Sequence, residues 1–129
     1  MSLSRQQRFP RARASVRAAR QFVGDTLGDW GVCERRDDIR LCVSELATNA
    51  VLHGVPLGRE FSVRLEREGG IVTIEVRDSG PGSPVVQQPG LGALSGRGLW
   101  LVVELADEFQ IRDERVGKTI LAGFKLASA

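Results

Sequence analysis

Between Phe61 and Arg77, apolar and polar residues alternate twice around a glycine pair. Phe61, Val63 and Leu65 interleave with Ser62, Arg64 and Glu66. After Gly69-Gly70, Val72, Ile74 and Val76 interleave with Thr73, Glu75 and Arg77. A period of two puts one face of each run in a core, and the glycine pair turns the chain back. This hairpin commits the middle of the chain to an antiparallel sheet with one wet face. The residues around it must cover the other face. Ala14 to Leu27 repeats Val16, Ala19, Val23 and Leu27 at helical spacing. A second stripe, Ile39, Cys42, Val43, Leu46, Ala47 and Ala50, predicts a helix capped by Asp37 or Asp38. It runs to about Val51–His53, where Gly54 and Pro56 stop it. Leu99, Val102, Val103 and Ala106 predict a third helix over Gly98–Leu105. Phe109–Arg112 and Thr119–Leu126 read as two closing strands. The expected fold is α+β: a two-layer sandwich with about three helices on one face of a sheet.

At 129 residues the chain suits one domain spanning 1–129, and no internal repeat or boundary interrupts it. A hydrophobic share of 42% and a charged share of 26% are globular values. The formal net charge of +2 supplies no field that would favour nucleic acid. The N-terminal segment is basic, with Arg5, Arg8, Arg11, Arg13, Arg17 and Arg20. It reads as a solvated helix face that could also touch phosphates, an acidic partner or a second copy. Cys33 and Cys42 make neither a zinc site nor a disulfide framework, and Cys42 falls on an apolar stripe. No apolar run is long enough for a membrane span, and no signal-peptide core leads the chain, so a cytoplasmic location is expected.

The chemistry concentrates in three places. Glu45 and Asn49 lie four residues apart on the flank of the second stripe, where core meets solvent. Magnesium takes oxygen ligands, usually one or two from protein, and Asn49 can supply one. Glu45 can orient or deprotonate a nucleophile. Such a pair is also common on ordinary helices. Asp78 shares the parity of Val72, Ile74 and Val76, so the core face of its strand ends in a carboxylate. A buried acid needs a hydrogen-bonded partner, and the exocyclic amine of adenine fits; a turn into solvent is the alternative. Ser79–Ser95 then holds four glycines and three prolines, too long and broken for regular structure. Gly80 and Gly82 open this loop, and Gly96 and Gly98 close it before the third helix. Backbone N–H groups at a helix start attract phosphate, and Arg97 adds charge.

Two familiar phosphate motifs are absent. Gly117-Lys118-Thr119 looks like the end of a P-loop, but Arg112 stands where that loop needs glycine, and a strand follows. Gly90-x-Gly92-x-x-Ser95 lacks its third glycine. His53 is the only histidine, which argues against a Ser-His-Asp site.

Taken together and in this order, the motifs resemble the ATP-binding superfamily of gyrase, heat-shock chaperone, histidine-kinase and mismatch-repair ATPases. Glu45-x-x-x-Asn49-Ala50 is similar to that family's N-box. Asp78-x-Gly80-x-Gly82 and Gly96-x-Gly98 are similar to its two glycine boxes. Asn49-Ala-Val-Leu-His53-Gly54 most resembles the small bacterial serine kinases that serve as anti-sigma factors. The resemblance implies a mixed, mostly antiparallel sheet carrying three helices. It implies ATP and Mg2+ as cofactors, with Asn49 on the metal and Glu45 as base. Asp78 would bind the adenine amine, supported by Gly82 and Thr119. Ser83–Ser95 would form the lid, with Gly96, Arg97, Gly98 and Leu99 beyond it. That lid contains no lysine, which leaves Arg97 as the phosphate cation. The implied function is a serine kinase that binds a sigma factor and phosphorylates an anti-anti-sigma antagonist. The alternative is a non-catalytic ATP switch on such a partner.

Overall fold

A computed structural model describes residues 2–54, 59–79 and 94–127. Five strands, β1 (Ser2–Pro10), β2 (Glu60–Glu68), β3 (Ile71–Asp78), β4 (Glu108–Asp113) and β5 (Lys118–Lys125), form one sheet in the order β1-β2-β3-β5-β4. Three helices accompany them: α1 (Ala14–Asp29), α2 (Arg36–Asn49) and α3 (Leu94–Leu105). The two-layer α+β expectation holds. Every pairing among the described residues is antiparallel, however, where the resemblance implied a mixed sheet. β3 and β4 point the same way, and β5 inserts between them, bonding antiparallel to both.

The alternation read from the sequence sets the register. Val63, Val76, Ile120 and Ile111 form one row across four strands, and Leu65, Ile74, Ala122 and Phe109 the next. These rows meet Val23, Leu27, Ile39, Val43, Leu46 and Val102 from the helices in one core. Burying such side chains contributes about 1.5–3 kcal/mol each against the entropy of ordering the chain. Cys42 lies in this core, and burial pushes its thiol up to about 12. Cys33 is exposed, and both thiols are free. Among the described residues, no helix is long and apolar enough to cross a membrane.

The N-terminal segment departs from expectation. Residues 2–10 are an edge strand paired with β2, and Phe9 is their buried anchor, stacked on Phe61 at 5.6 Å between ring centroids. Arg5 and Arg8 therefore belong to a strand, and the solvated-helix reading of the whole basic run is corrected. Arg5 pairs with Asp29 at 2.8 Å across to α1. α3 begins at Leu94, four residues before the expected start at Gly98.

Arg35 ties the far end of the layers together. It precedes α2 with φ +60°, a left-handed conformation rare for a non-glycine residue. Its guanidinium bonds Asp107 and donates to Leu105 O at 2.6 Å, a carbonyl left open at the end of α3. It also lies 5.2 Å above the Phe124 ring. The Lys125 N–H and the Arg35 guanidinium hold the Asp107 carboxyl below its usual range. Arg35→Ala should lower the unfolding free energy by about 2 kcal/mol, chiefly through the orphaned Leu105 carbonyl. Urea unfolding reads this directly. A loss within experimental error would show that the clamp contributes nothing.

Candidate functional site

The site grows out of the end of α2. α2 packs against α1, α3 and β3, and Glu45 on its flank lies against Gly98 of α3. At Asn49 the α-helix gives way to a π-helical turn, Ala50–Gly54. Such widened turns are rare and cluster at functional sites, because they re-aim side chains and free backbone groups. One of those groups, the Val51 carbonyl, accepts from Arg11 Nε at 2.9 Å. His53, the residue before the last of this turn, is exposed to solvent.

Asn49 is 8% exposed, yet its Oδ1 has no hydrogen-bond partner among the described residues. Only Arg40 Nε shares that condition among the described buried side-chain polar atoms. A buried, unsatisfied acceptor costs about 1–3 kcal/mol, so its retention calls for a reason. A buried carboxamide oxygen without a donor suits a hard cation. This one oxygen fits the single protein ligand that the resemblance implies for magnesium.

Glu45, one turn earlier, is half-buried, and burial raises its carboxyl above the ordinary value. Its neighbour on α3 is Gly98. A β-carbon at Gly98 would stand 2.6 Å from Glu45 Oε2, so any side chain there would push the carboxylate aside. The glycine lets α3 approach the acid closely. Leu99 next to it is 1% exposed and belongs to the core, which leaves only its backbone to face a ligand. Gly96 and Arg97 fall in the first turns of α3. Gly80, Gly82 and the expected lid, Ser83–Ser95, lie outside the described residues except for the last two positions, Leu94 and Ser95, which belong to α3.

Asp78 points into the core face, 3% exposed, as its parity requires. The reading of it as a residue turning into solvent is excluded. The register contains a surprise: the residue opposite Asp78 on β5 is Lys118, whose Nζ lies 3.1 Å from Asp78 Oδ1. Both side chains are buried, at 3% and 2% exposure. Thr119 lies opposite Arg77 instead, on the other face of the sheet, and donates its hydroxyl to Glu114 at 2.9 Å. The expected support of Asp78 by Thr119 is thus corrected, because adjacent strand residues face opposite sides. Lys118 went unnoticed as a site residue. Its shared parity with Ile120, Ala122 and Phe124 was the available signal.

Gly117 seats that lysine. Glu114 to Gly117 form the turn between β4 and β5, closed by the Glu114 N–H on Gly117 O at 3.0 Å. Gly117 has φ +83°, and a β-carbon there would fall 1.9 Å from the Asp78 carbonyl oxygen. The P-loop-like triplet is therefore a β-turn pressed against the end of β3.

The comparisons agree with this architecture. Residues 9–124 match the family described as histidine kinase-like ATPase domain. A crystal structure of the RsbU and RsbW domains of Rv1364c from Mycobacterium tuberculosis superposes with a TM-score of 0.72 over 96% of this chain. The two are 21% identical in sequence, a likeness of fold, and this chain spans 32% of the length of that one. No curated protein sequence gave a match. With an N-box-like helix end, an inward acid at the end of β3 and 116 consecutive positions inside the family's match, from 9 to 124, the chain belongs to the histidine kinase-like ATPase domain family.

Proposed function

We propose that this protein binds Mg-ATP and phosphorylates a serine on an antagonist protein, acting as an anti-sigma factor whose grip on its sigma factor the antagonist relieves. The observation that carries the reading is the unsatisfied Asn49 Oδ1, buried one helical turn from the half-buried Glu45. Family membership supports nucleotide binding. The similarity of Asn49–Gly54 to small serine kinases supports the choice of substrate.

Asn49 would hold the metal through Oδ1. When bound, magnesium neutralises phosphate charge, which phosphoryl transfer needs more than covalent help from the protein. Asp78 would receive the adenine amine. Glu45 would take the proton of the serine hydroxyl as the oxygen–phosphorus bond forms and the bond to ADP breaks. Burial makes its carboxylate a stronger proton acceptor than an exposed one. Gly98 keeps room for that carboxylate.

The same burial gives a stability signature. A carboxyl raised in the folded state binds its proton more tightly there than in the unfolded chain. Its contribution is fully present below the unfolded value and fades as pH rises through the folded one. At neutral pH the ionised Glu45 therefore weighs against the fold. Glu45→Gln should raise the melting temperature at pH 7 while ATP still binds and phosphoryl transfer is lost. Incubation with labelled ATP and candidate sigma-antagonist proteins tests the transfer. A labelled partner with wild type and none with Glu45→Gln is the expected result. Intact, bound ATP with every partner would replace the kinase with a nucleotide switch.

A further inference from the structure

The unexpected element of the site is the buried pair of Lys118 and Asp78. In register Lys118 lies between Asp78 on β3 and Asp113 on β4. Its ion pair goes to Asp78, the buried one, while Asp113 is exposed. The turn glycine holds it there: Gly117 rests against the Asp78–Ser79 backbone and fixes where β5 begins. An ammonium carries three donors. One serves Asp78, at 3.1 Å. No other hydrogen bond engages the remaining two among the described residues.

The pair thus sets an ammonium donor beside a carboxylate on the core face, at the end of β3 where the nucleotide-binding reading puts the base. Adenine offers the complementary set on one edge, an amine at N6 and an unprotonated ring nitrogen at N1. We propose that Lys118 reads the adenine base directly, donating to N1 while Asp78 accepts from the N6 amine. Guanine in the same pose would set a carbonyl against the carboxylate and an N–H against the ammonium, two repulsive contacts. Lys118 would then be a specificity-determining residue for the nucleotide. Withdrawing it to make room would take a buried charge off its partner, at a cost that a single base contact does not repay. The inference rests on the nucleotide-binding reading above and deepens it.

The test measures binding of Mg-ATP, Mg-1-deaza-ATP and Mg-GTP by calorimetry to the full chain and to Lys118→Met. The 1-deaza analogue keeps the amine and replaces N1 with C–H. Wild type should bind it about tenfold more weakly than ATP, the size of one charge-assisted hydrogen bond. Lys118→Met should bind ATP and 1-deaza-ATP alike, and should lose part of the preference over GTP. Equal binding of ATP and its 1-deaza analogue by wild type would overturn the inference without any variant. So would tighter ATP binding by Lys118→Met, which would make the lysine a competitor for Asp78. Failure of wild type to bind any of the three overturns the nucleotide reading itself, a result distinct from either.

Discussion

Gly117→Ala should cost about 4 kcal/mol or more of folding stability and abolish nucleotide binding. Two effects add. The left-handed backbone at φ +83° penalises any β-carbon by about 1–2 kcal/mol. The larger effect is contact. The new atom would lie 1.9 Å from the Asp78 carbonyl oxygen and 2.5 Å from Ser79 Cα. These are backbone atoms, so no rotamer change relieves the clash; β3 and β5 must part at the end where Asp78 meets Lys118. Gly69→Ala is the matched control. Gly69 also has positive φ, +61°, but nothing lies within 4 Å of its β-carbon position. It should lose about 1 kcal/mol and keep its nucleotide. Denaturant unfolding of both variants, with calorimetry against Mg-ATP, separates the conformational penalty from the contact. Equal losses from the two substitutions would show that Gly117 is only a turn glycine and that the base end of the site does not depend on it.

That glycine also shows where reading residues succeeds and where it stops. The hairpin, the helical stripes and the inward Asp78 were legible, because burial imposes a period and Val72, Ile74, Val76 and Asp78 keep it without a break. β1 was not legible, since an edge strand is held by backbone bonds to β2. Its side chains, Ser4, Arg5, Gln6, Gln7 and Arg8, carry almost no hydrophobic signal, and Phe9 alone marks the buried end. The start of α3 was hidden by Gly96 and Gly98, which weaken helix propensity. Gly98 stays in the helix because a larger residue would displace Glu45. Lys118 was misread for a different reason. A phosphate motif offered itself for Gly117-Lys118-Thr119, and after its rejection the lysine had no assigned face. Strand pairing supplies what local pattern lacks: which residue stands opposite which. The π-helical turn after Asn49 has no signature in the apolar stripe, which continues through Ala50 and Val51.

The same site supplies a substitution in which function and stability should move apart. Asn49→Ala should weaken Mg-ATP binding at least about a hundredfold, since changes one shell further from a metal already cost 10- to 100-fold. Its effect on folding should be close to zero or slightly favourable. The reasoning turns on Oδ1. Most buried side chains that lose a polar group lose a bond; here there is none to lose, because the acceptor has no partner among the described residues. Removing it discards an unpaid desolvation cost of about 1–3 kcal/mol, set against a small cavity in the α2 flank. Calorimetry with and without EDTA reads the first effect, and thermal unfolding of the free protein reads the second. The residual ATP affinity of Asn49→Ala should no longer respond to magnesium. Asn49→Asp retains an oxygen ligand and should recover magnesium dependence, with a larger rise in melting temperature on adding the metal than wild type shows. A several-degree fall in the melting temperature of Asn49→Ala, with magnesium-dependent binding intact, would identify the amide as a structural group and move the metal elsewhere in the cleft. The expected pattern, lost ligand and undiminished fold, is what an atom kept unsatisfied for a ligand should produce.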